Sequence, residues 1–305
     1  MIISIHDAHM LKRYSLDESF AHLRAAGIEG VQYGMGYYLM PAEAVRGCEP
    51  AKMDASIDEI LEFVRPYKEA ADRNGVKISQ VHAPFPMWLE GNDDVAERMF
   101  EVLKKSIVLT KYMQSEHMIV HPASPTRHGG FVTAEEEWEL NHMLYARLIP
   151  TLKENGVMAL LENMFTRGVE GLRFAGACSD FNEAARWVDA LNAEAGEELF
   201  GFCFDTGHCF EARQNLYRSI KIMGKRIKAL HLNDNYGHMD DHRLPYCGSI
   251  QWEEVVRALK EVGYRGDLNF ETGPLLGKFP PELTDECLRL TGAVGAYFKK
   301  RILED

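Results

Sequence analysis

The chain has no surplus of basic residues. Its 34 Lys and Arg stand against 46 Asp and Glu, a formal net charge of −12 over 305 residues. Binding phosphate backbone without regard to sequence needs clustered cations, so that class of function is disfavoured. Cysteine is sparse. Cys48, Cys178, Cys203, Cys209, Cys247 and Cys287 form no CxxC pair, which argues against a closed thiolate zinc site and reads as free thiols of a reducing compartment. No stretch approaches about 18 uninterrupted apolar residues, so no segment is expected to cross a membrane. The opening MIISIHDAHM has neither the basic stretch nor the apolar run of a secretion signal, and a cytoplasmic protein is expected. No Pro/Ser-rich linker divides the chain, and no solenoid-like repeat runs through it. A GxGxxG fingerprint after the first apolar run is missing too, which counts against a dinucleotide-binding open sheet, the second choice of fold.

What the chain has is an alternation. Short apolar runs at 2–5, 30–33, 76–81, 118–122, 157–163, 200–208, 227–234 and 266–272 are separated by longer amphipathic stretches. Ser15 with Glu18, and Thr133 with Glu136, have the spacing of capping boxes that start helices. Ser56 opens another helix that reaches Asn74-Gly75. Further helices are predicted over 95–112, 180–191, 216–223, 252–262 and 282–300. About eight strand-then-helix units imply parallel pairing, and the expected fold is a single (β/α)8 TIM barrel over residues 1–305. Near-continuous apolar runs suit strands buried on both faces. Residues 34–55, with Met35, Tyr37, Tyr38, Leu39 and Met40, lack periodicity and read as a long loop, either a lid or a subunit contact.

In such a barrel the chemistry sits at the C-terminal ends of the strands. From the third run onward these ends carry His82, His121, Glu162, Asp205, His231 and Glu271. Each residue alone reads as an ordinary hydrogen-bonded or ion-paired side chain. Barrel closure changes that reading, because it gathers several carboxylates around one mouth. Like charges brought together out of water are costly unless a cation offsets them. Glu162, Asp205, Glu271 and His231 make an oxygen-rich set with one imidazole, suited to Mn2+, with Zn2+, Co2+ or Mg2+ also compatible. Cys203 and Cys209 flank Asp205 but read as packing residues.

The motifs that surround these residues occur in an order that resembles the xylose isomerase-like TIM-barrel superfamily. They are VHAPF at 81–85, IVHP at 119–122, LLEN at 160–163, FDTGH at 204–208, LHLNDN at 230–235, DDHRLPYCGSIQW at 240–252 and NFET at 269–272. The resemblance implies one divalent metal held by Glu162, Asp205, His231 and Glu271. It also implies a sugar or sugar-phosphate substrate and an isomerase or epimerase working through an enediolate. Glu162 and Glu271 are then the acid/base pair. His82, His121, His208, His242 and Trp88 are expected to contact the sugar, and Trp252 is weighed as a second wall or as core. A dimer or tetramer is implied by the resemblance alone. Two other outcomes belong to the same superfamily: a lyase or dehydratase of a keto-sugar or keto-inositol, and a nuclease resembling endonuclease IV with three zinc ions. His82, His121, His208, Asp240 and His242 are candidates for that enlarged ligand set. The thin Lys/Arg content of the mouth loops disfavours nucleic acid. A phosphate site near Gly273–Gly277, Arg243 and Lys278 is weighed against an ordinary turn.

Overall fold

The computed structural model describes residues 1–6, 10, 12–125, 132–167 and 172–304. Ten strands follow one another: β1 (Ile3–His6), β2 (Gly30–Gly34), β3 (Lys77–His82), β4 (His117–Val120), β5 (Met158–Glu162), β6 (Phe165–Arg167), β7 (Arg173–Ala175), β8 (Phe200–Asp205), β9 (Ile227–His231) and β10 (Leu268–Phe270). Eight of them form one parallel sheet in the order β10-β1-β2-β3-β4-β5-β8-β9. The ring closes through Leu232, whose N–H donates to the Asn269 carbonyl at 2.8 Å and whose carbonyl accepts from Glu271 N–H at 3.1 Å. The expected TIM-barrel architecture is therefore present.

The barrel interior is split by chemistry. Ile119, Leu160, Cys203 and Ala229 form a small apolar plug. Cys203 is thus a packing residue, and burial pushes its thiol up to about 12. On the β10-β1-β2-β3 side the interior is polar instead. Ser4, Gln32, Gln80 and Asn269 are buried there and bond to one another.

The two expected capping boxes form, at Ser15/Glu18 and Thr133/Glu136, and a third forms at Ser56/Glu59. Residues 34–55 differ from expectation. They fold into helices at Met35–Tyr38 and Ala42–Arg46 and a 3-10 turn at Lys52–Asp54. Met35, Leu39, Met40, Val45 and Met53 are core residues, and Tyr37 is the exposed one. The apolar content that suggested a lid or subunit contact is thus spent on internal packing. The antiparallel hairpin β6–β7 was not expected from sequence; its strands are only three residues each. Gly273–Lys278 is a short helix, and Arg243 Nε donates to Asp241 Oδ2 at 3.0 Å. Trp252 is core, stacked on Phe298 at 5.4 Å between ring centroids. Among the described residues, no helix is long and apolar enough to cross a membrane.

The LHLNDN and DDHRLPYCGSIQW motifs are tied together by one buried carboxylate. Asp234 accepts from Trp252 Nε1 at 2.8 Å, Asn235 N–H at 2.9 Å, Gly248 N–H at 3.0 Å and Ile250 N–H at 3.1 Å. Asp234→Ala leaves these donors without an acceptor in a site closed to water. It is expected to cost about 3 kcal/mol or more, read as a lower denaturation midpoint at unchanged slope. A change below about 1 kcal/mol would show that the loop does not depend on this carboxylate.

Glu137, on the helix Ala134–Ala146, is raised to about 7 by burial and by the charge of Glu183. An acid raised in the folded state binds more protons folded than unfolded, so stability falls as pH rises from about 4.5 toward 7. Glu137→Gln is expected to raise the melting temperature at pH 8 and to leave it nearly unchanged at pH 4.5. Equal effects at both pH values would contradict this.

Candidate active site

The strand ends meet at the barrel mouth, in and beneath a cavity of about 500 Å3. Its lining includes His82, His121, Glu162, His208, His242 and Glu271, all anticipated from sequence, and also Trp88. Asp205 and His231 lie just below, with no solvent exposure. His82, Glu162, Asp205 and His231 end their strands, His121 and Glu271 sit one residue past theirs, His208 lies on the helix that follows β8, and His242 lies in the segment after β9.

Three carboxylates approach one imidazole nitrogen. His231 Nδ1 is 2.9 Å from Glu162 Oε1, 3.4 Å from Glu271 Oε2 and 3.7 Å from Asp205 Oδ2. Asp205 is fixed from several sides. Its Oδ1 caps the following helix by accepting from His208 N–H at 2.7 Å, and its Oδ2 accepts from Asn233 Nδ2 at 3.0 Å. The Asn163 side chain pairs with its backbone through two bonds of 2.9 Å. Gly207 is required beside it, because a Cβ there would collide with the Asn233 amide.

Glu162 Oε2 is buried and accepts no hydrogen bond, although His121 Nε2 lies 3.1 Å and His82 Nε2 3.7 Å away. A bare buried carboxylate oxygen among imidazoles is what a cation site leaves exposed to its ion. Three overlapping groups have ligand atoms within 4.8 Å of one another: His82/His121/Glu162, Glu162/Asp205/His208 and Asp205/His231/Glu271. The residues therefore fit a divalent cation, with carboxylate and imidazole ligands and no thiolate.

The charges in the mouth balance internally. Burial opposes ionisation of Glu162, but His231 and His121 outweigh it and hold the carboxyl well below its usual range. Glu271 is likewise lowered against burial, by His231 and His242. Burial opposes charge on His231 too, yet the carboxylates of Glu271 and Glu162 raise it well above the usual imidazole value. His242 is raised to about 10 against burial, chiefly by Asp240, whose Oδ2 lies 3.1 Å from its Nε2. Asp205 is pushed up to about 6 by burial and by the neighbouring charges of Glu162 and Glu271, despite His208.

Several residues of the site were not anticipated. His6 ends β1 and lines the cavity; burial lowers it to about 4, so it is neutral. The strand-end rule finds it once applied to the first strand. Tyr37 packs against its ring at 4.7 Å between centroids. Gln32 lies inside β2 and carries no local signal. Its Oε1 accepts from Gln80 Nε2 at 2.6 Å and Asn269 Nδ2 at 2.8 Å, so its Nε2 must face Glu271 Oε1, 3.2 Å away. The amide orientation is thereby fixed, and it presents a donor to the Glu271 carboxylate. The hairpin carries Phe165, whose ring centroid is 5.1 Å from that of His208.

The model of the xylose isomerase-like TIM barrel matches residues 20–289. An uncharacterized protein of Sinorhizobium fredii is 34% identical over 82 residues, 27% of this chain and 26% of that one. An uncharacterized protein of Methanocaldococcus jannaschii is 29% identical over 211 residues, 67% of each chain. A probable endonuclease 4 of Staphylococcus carnosus is 27% identical over 187 residues, 57% of this chain and 58% of that one. The chain thus spans from about a quarter to two-thirds of the length of these curated relatives. Among solved structures, a D-tagatose 3-epimerase-like protein superposes with a TM-score of 0.69 at 20% identity, over 97% of this chain and 99% of that one. The IOLI protein with a bound zinc atom superposes with a TM-score of 0.64 at 16% identity, over 99% and 98%. At these identities the two structures establish the fold.

Proposed function

From the premise that this chain belongs to the xylose isomerase-like TIM-barrel family, we propose that it is a divalent-metal-dependent sugar isomerase or epimerase. The observation that carries the reading is the pair Glu162 and Glu271. Both are held as anions around His231 Nδ1, on strands separated in the ring by β8 and β9, and both open into one cavity. A cation held by Glu162, Asp205, His231 and Glu271 would supply Lewis acidity to a carbonyl and so acidify the neighbouring C–H.

The chain's own groups do the rest. One glutamate removes the proton from that carbon and the other delivers a proton to the opposite face or to the adjacent carbon. Gln32 donates to Glu271 Oε1 and steadies that carboxylate. His208 is fixed through Nδ1, 3.0 Å from the Asn163 carbonyl, so that its Nε2 faces Asp240 and the cavity as a hydroxyl ligand. Phe85, Trp88, Leu89 and Phe165 form an apolar wall that excludes water. The similarity to a D-tagatose 3-epimerase-like protein and to the IOLI protein with a bound zinc atom supports the reading.

One observation favours a second reading. His82, His121 and the His208–Asp240–His242 group extend the donors well beyond four residues. This enlarged set, with the relatives named endonuclease 4, supports a trinuclear nuclease. Metal analysis separates the two. The purified chain is expected to retain one tightly held divalent ion and to convert at least one member of a ketose panel. Three tightly held zinc ions with nicking of abasic DNA and no sugar turnover would establish the nuclease instead.

A further inference from the structure

The cavity is polarised. Its floor holds the acidic cluster of Glu162 and Glu271, with Asp240 alongside, while its rim carries two arginines, Arg46 and Arg167. Arg46 ends the helix Ala42–Arg46 that follows β2, and Arg167 ends β6, which follows β5. β2 and β5 are three strands apart in the eight-stranded ring, so the two side chains reach the same cavity from different sides of the mouth.

Neither guanidinium makes a hydrogen bond or ion pair with any described residue. That sets them apart from arginines such as Arg98, Arg147 and Arg226, which are held by Asp54, Glu97 and Asp189. It also sets them apart from Arg173 on the same hairpin, which lies over the Phe165 ring and 3.3 Å from Glu211. A guanidinium offers five donors in a planar fork that matches phosphate and carboxylate oxygens. Arginines at the rim of the pocket that pair with no described residue are positioned for an anion supplied by the ligand. Both guanidiniums are exposed at the rim, so an anion they bind lies there while the sugar's carbonyl and hydroxyls point inward.

Resting on the sugar-isomerase reading above, we propose that the substrate is an anionic sugar, bearing a phosphate or a carboxylate at the end remote from the reacting carbons, gripped by Arg46 and Arg167.

The test is a binding measurement on the metal-loaded full chain, which needs no turnover. The probes are fructose, fructose 6-phosphate and fructuronate, titrated by calorimetry against the wild type and the Arg46→Gln/Arg167→Gln double variant. Both arginines are exposed, so the double variant is expected to melt with the wild type. The wild type is expected to bind at least one anionic probe tenfold or more tightly than fructose. That preference should weaken at 0.5 M salt and fall at least tenfold in the double variant, with fructose binding unchanged. The probe that shows the preference identifies the group as phosphate or carboxylate. Equal binding of neutral and anionic probes, no binding of either anionic probe, or a preference that survives in the double variant would overturn the proposal. Proton exchange from a bound ketose, measured separately, decides the isomerase reading, so the failure of one is distinguishable from the failure of the other.

Discussion

Glu271→Gln and Glu162→Gln are each expected to lower kcat by about a thousandfold, the usual size of a lost acid/base step. The substitution keeps the shape of the side chain and removes its charge. Glu271 is the sharper test, because Gln32 already supplies a donor to its Oε1. A glutamine placed there can turn its carbonyl oxygen to that donor, so the local packing should survive. Metal content must be read alongside turnover, since both glutamates also face His231 Nδ1. Asp205→Asn serves as the comparison. Asp205 is buried below the cavity floor, and its loss should reduce metal content in proportion to activity. A Glu271→Gln protein with full metal and activity within tenfold of the wild type would remove Glu271 from the acid/base pair.

Stripping the metal with a chelator is expected to abolish turnover and to lower the melting temperature by about 5 °C, both restored by Mn2+. An ion held at one hundred times its Kd stabilises by about 2.7 kcal/mol, which is several degrees for a chain of this size. The effect has a pH sign. In the metal-free chain, the carboxylates of Glu271 and Glu162 overcome the effect of burial and keep His231 well above the usual imidazole value, so it carries a proton at neutral pH. The ion must displace that proton, and affinity therefore rises with pH, by about tenfold per unit for each proton released. Titration at pH 6 and pH 8 checks this. An affinity independent of pH, or an unchanged melting temperature after chelation, would contradict a metal centred on His231.

Much of the barrel was legible because its strands are continuous apolar runs between capped amphipathic helices. Ser15/Glu18 and Thr133/Glu136 marked helix starts that the structure retains. The gathering of His82, His121, Glu162, Asp205, His231 and Glu271 followed from closure of the ring, which no single residue signals. The misreadings share a cause. Residues 34–55 show no period because their helices are four and five residues long, too short for one face to repeat. The hairpin β6–β7 is shorter still. Gln32 was invisible because its role comes from Gln80, Asn269 and Glu271 on β3, on β10 and just past β10. Trp252, weighed as wall or core, is core: Asp234 accepts from its Nε1 and its ring stacks on Phe298. The acidic excess also reads differently beside the structure. Part of it is the cluster Glu162, Asp205, Asp240 and Glu271, beside which the imidazoles of His231 and His242 are raised.

The central claim is that Glu162 and Glu271 pass a proton to and from a carbon beside a sugar carbonyl. The measurement that tests it most directly is solvent exchange: metal-loaded protein incubated with neutral and anionic ketoses in deuterated water, followed by NMR of the recovered sugar. The account predicts deuterium at one carbon adjacent to the carbonyl of at least one ketose, absent after chelation and absent in Glu271→Gln. Exchange at no carbon across the panel, with metal bound, would contradict it.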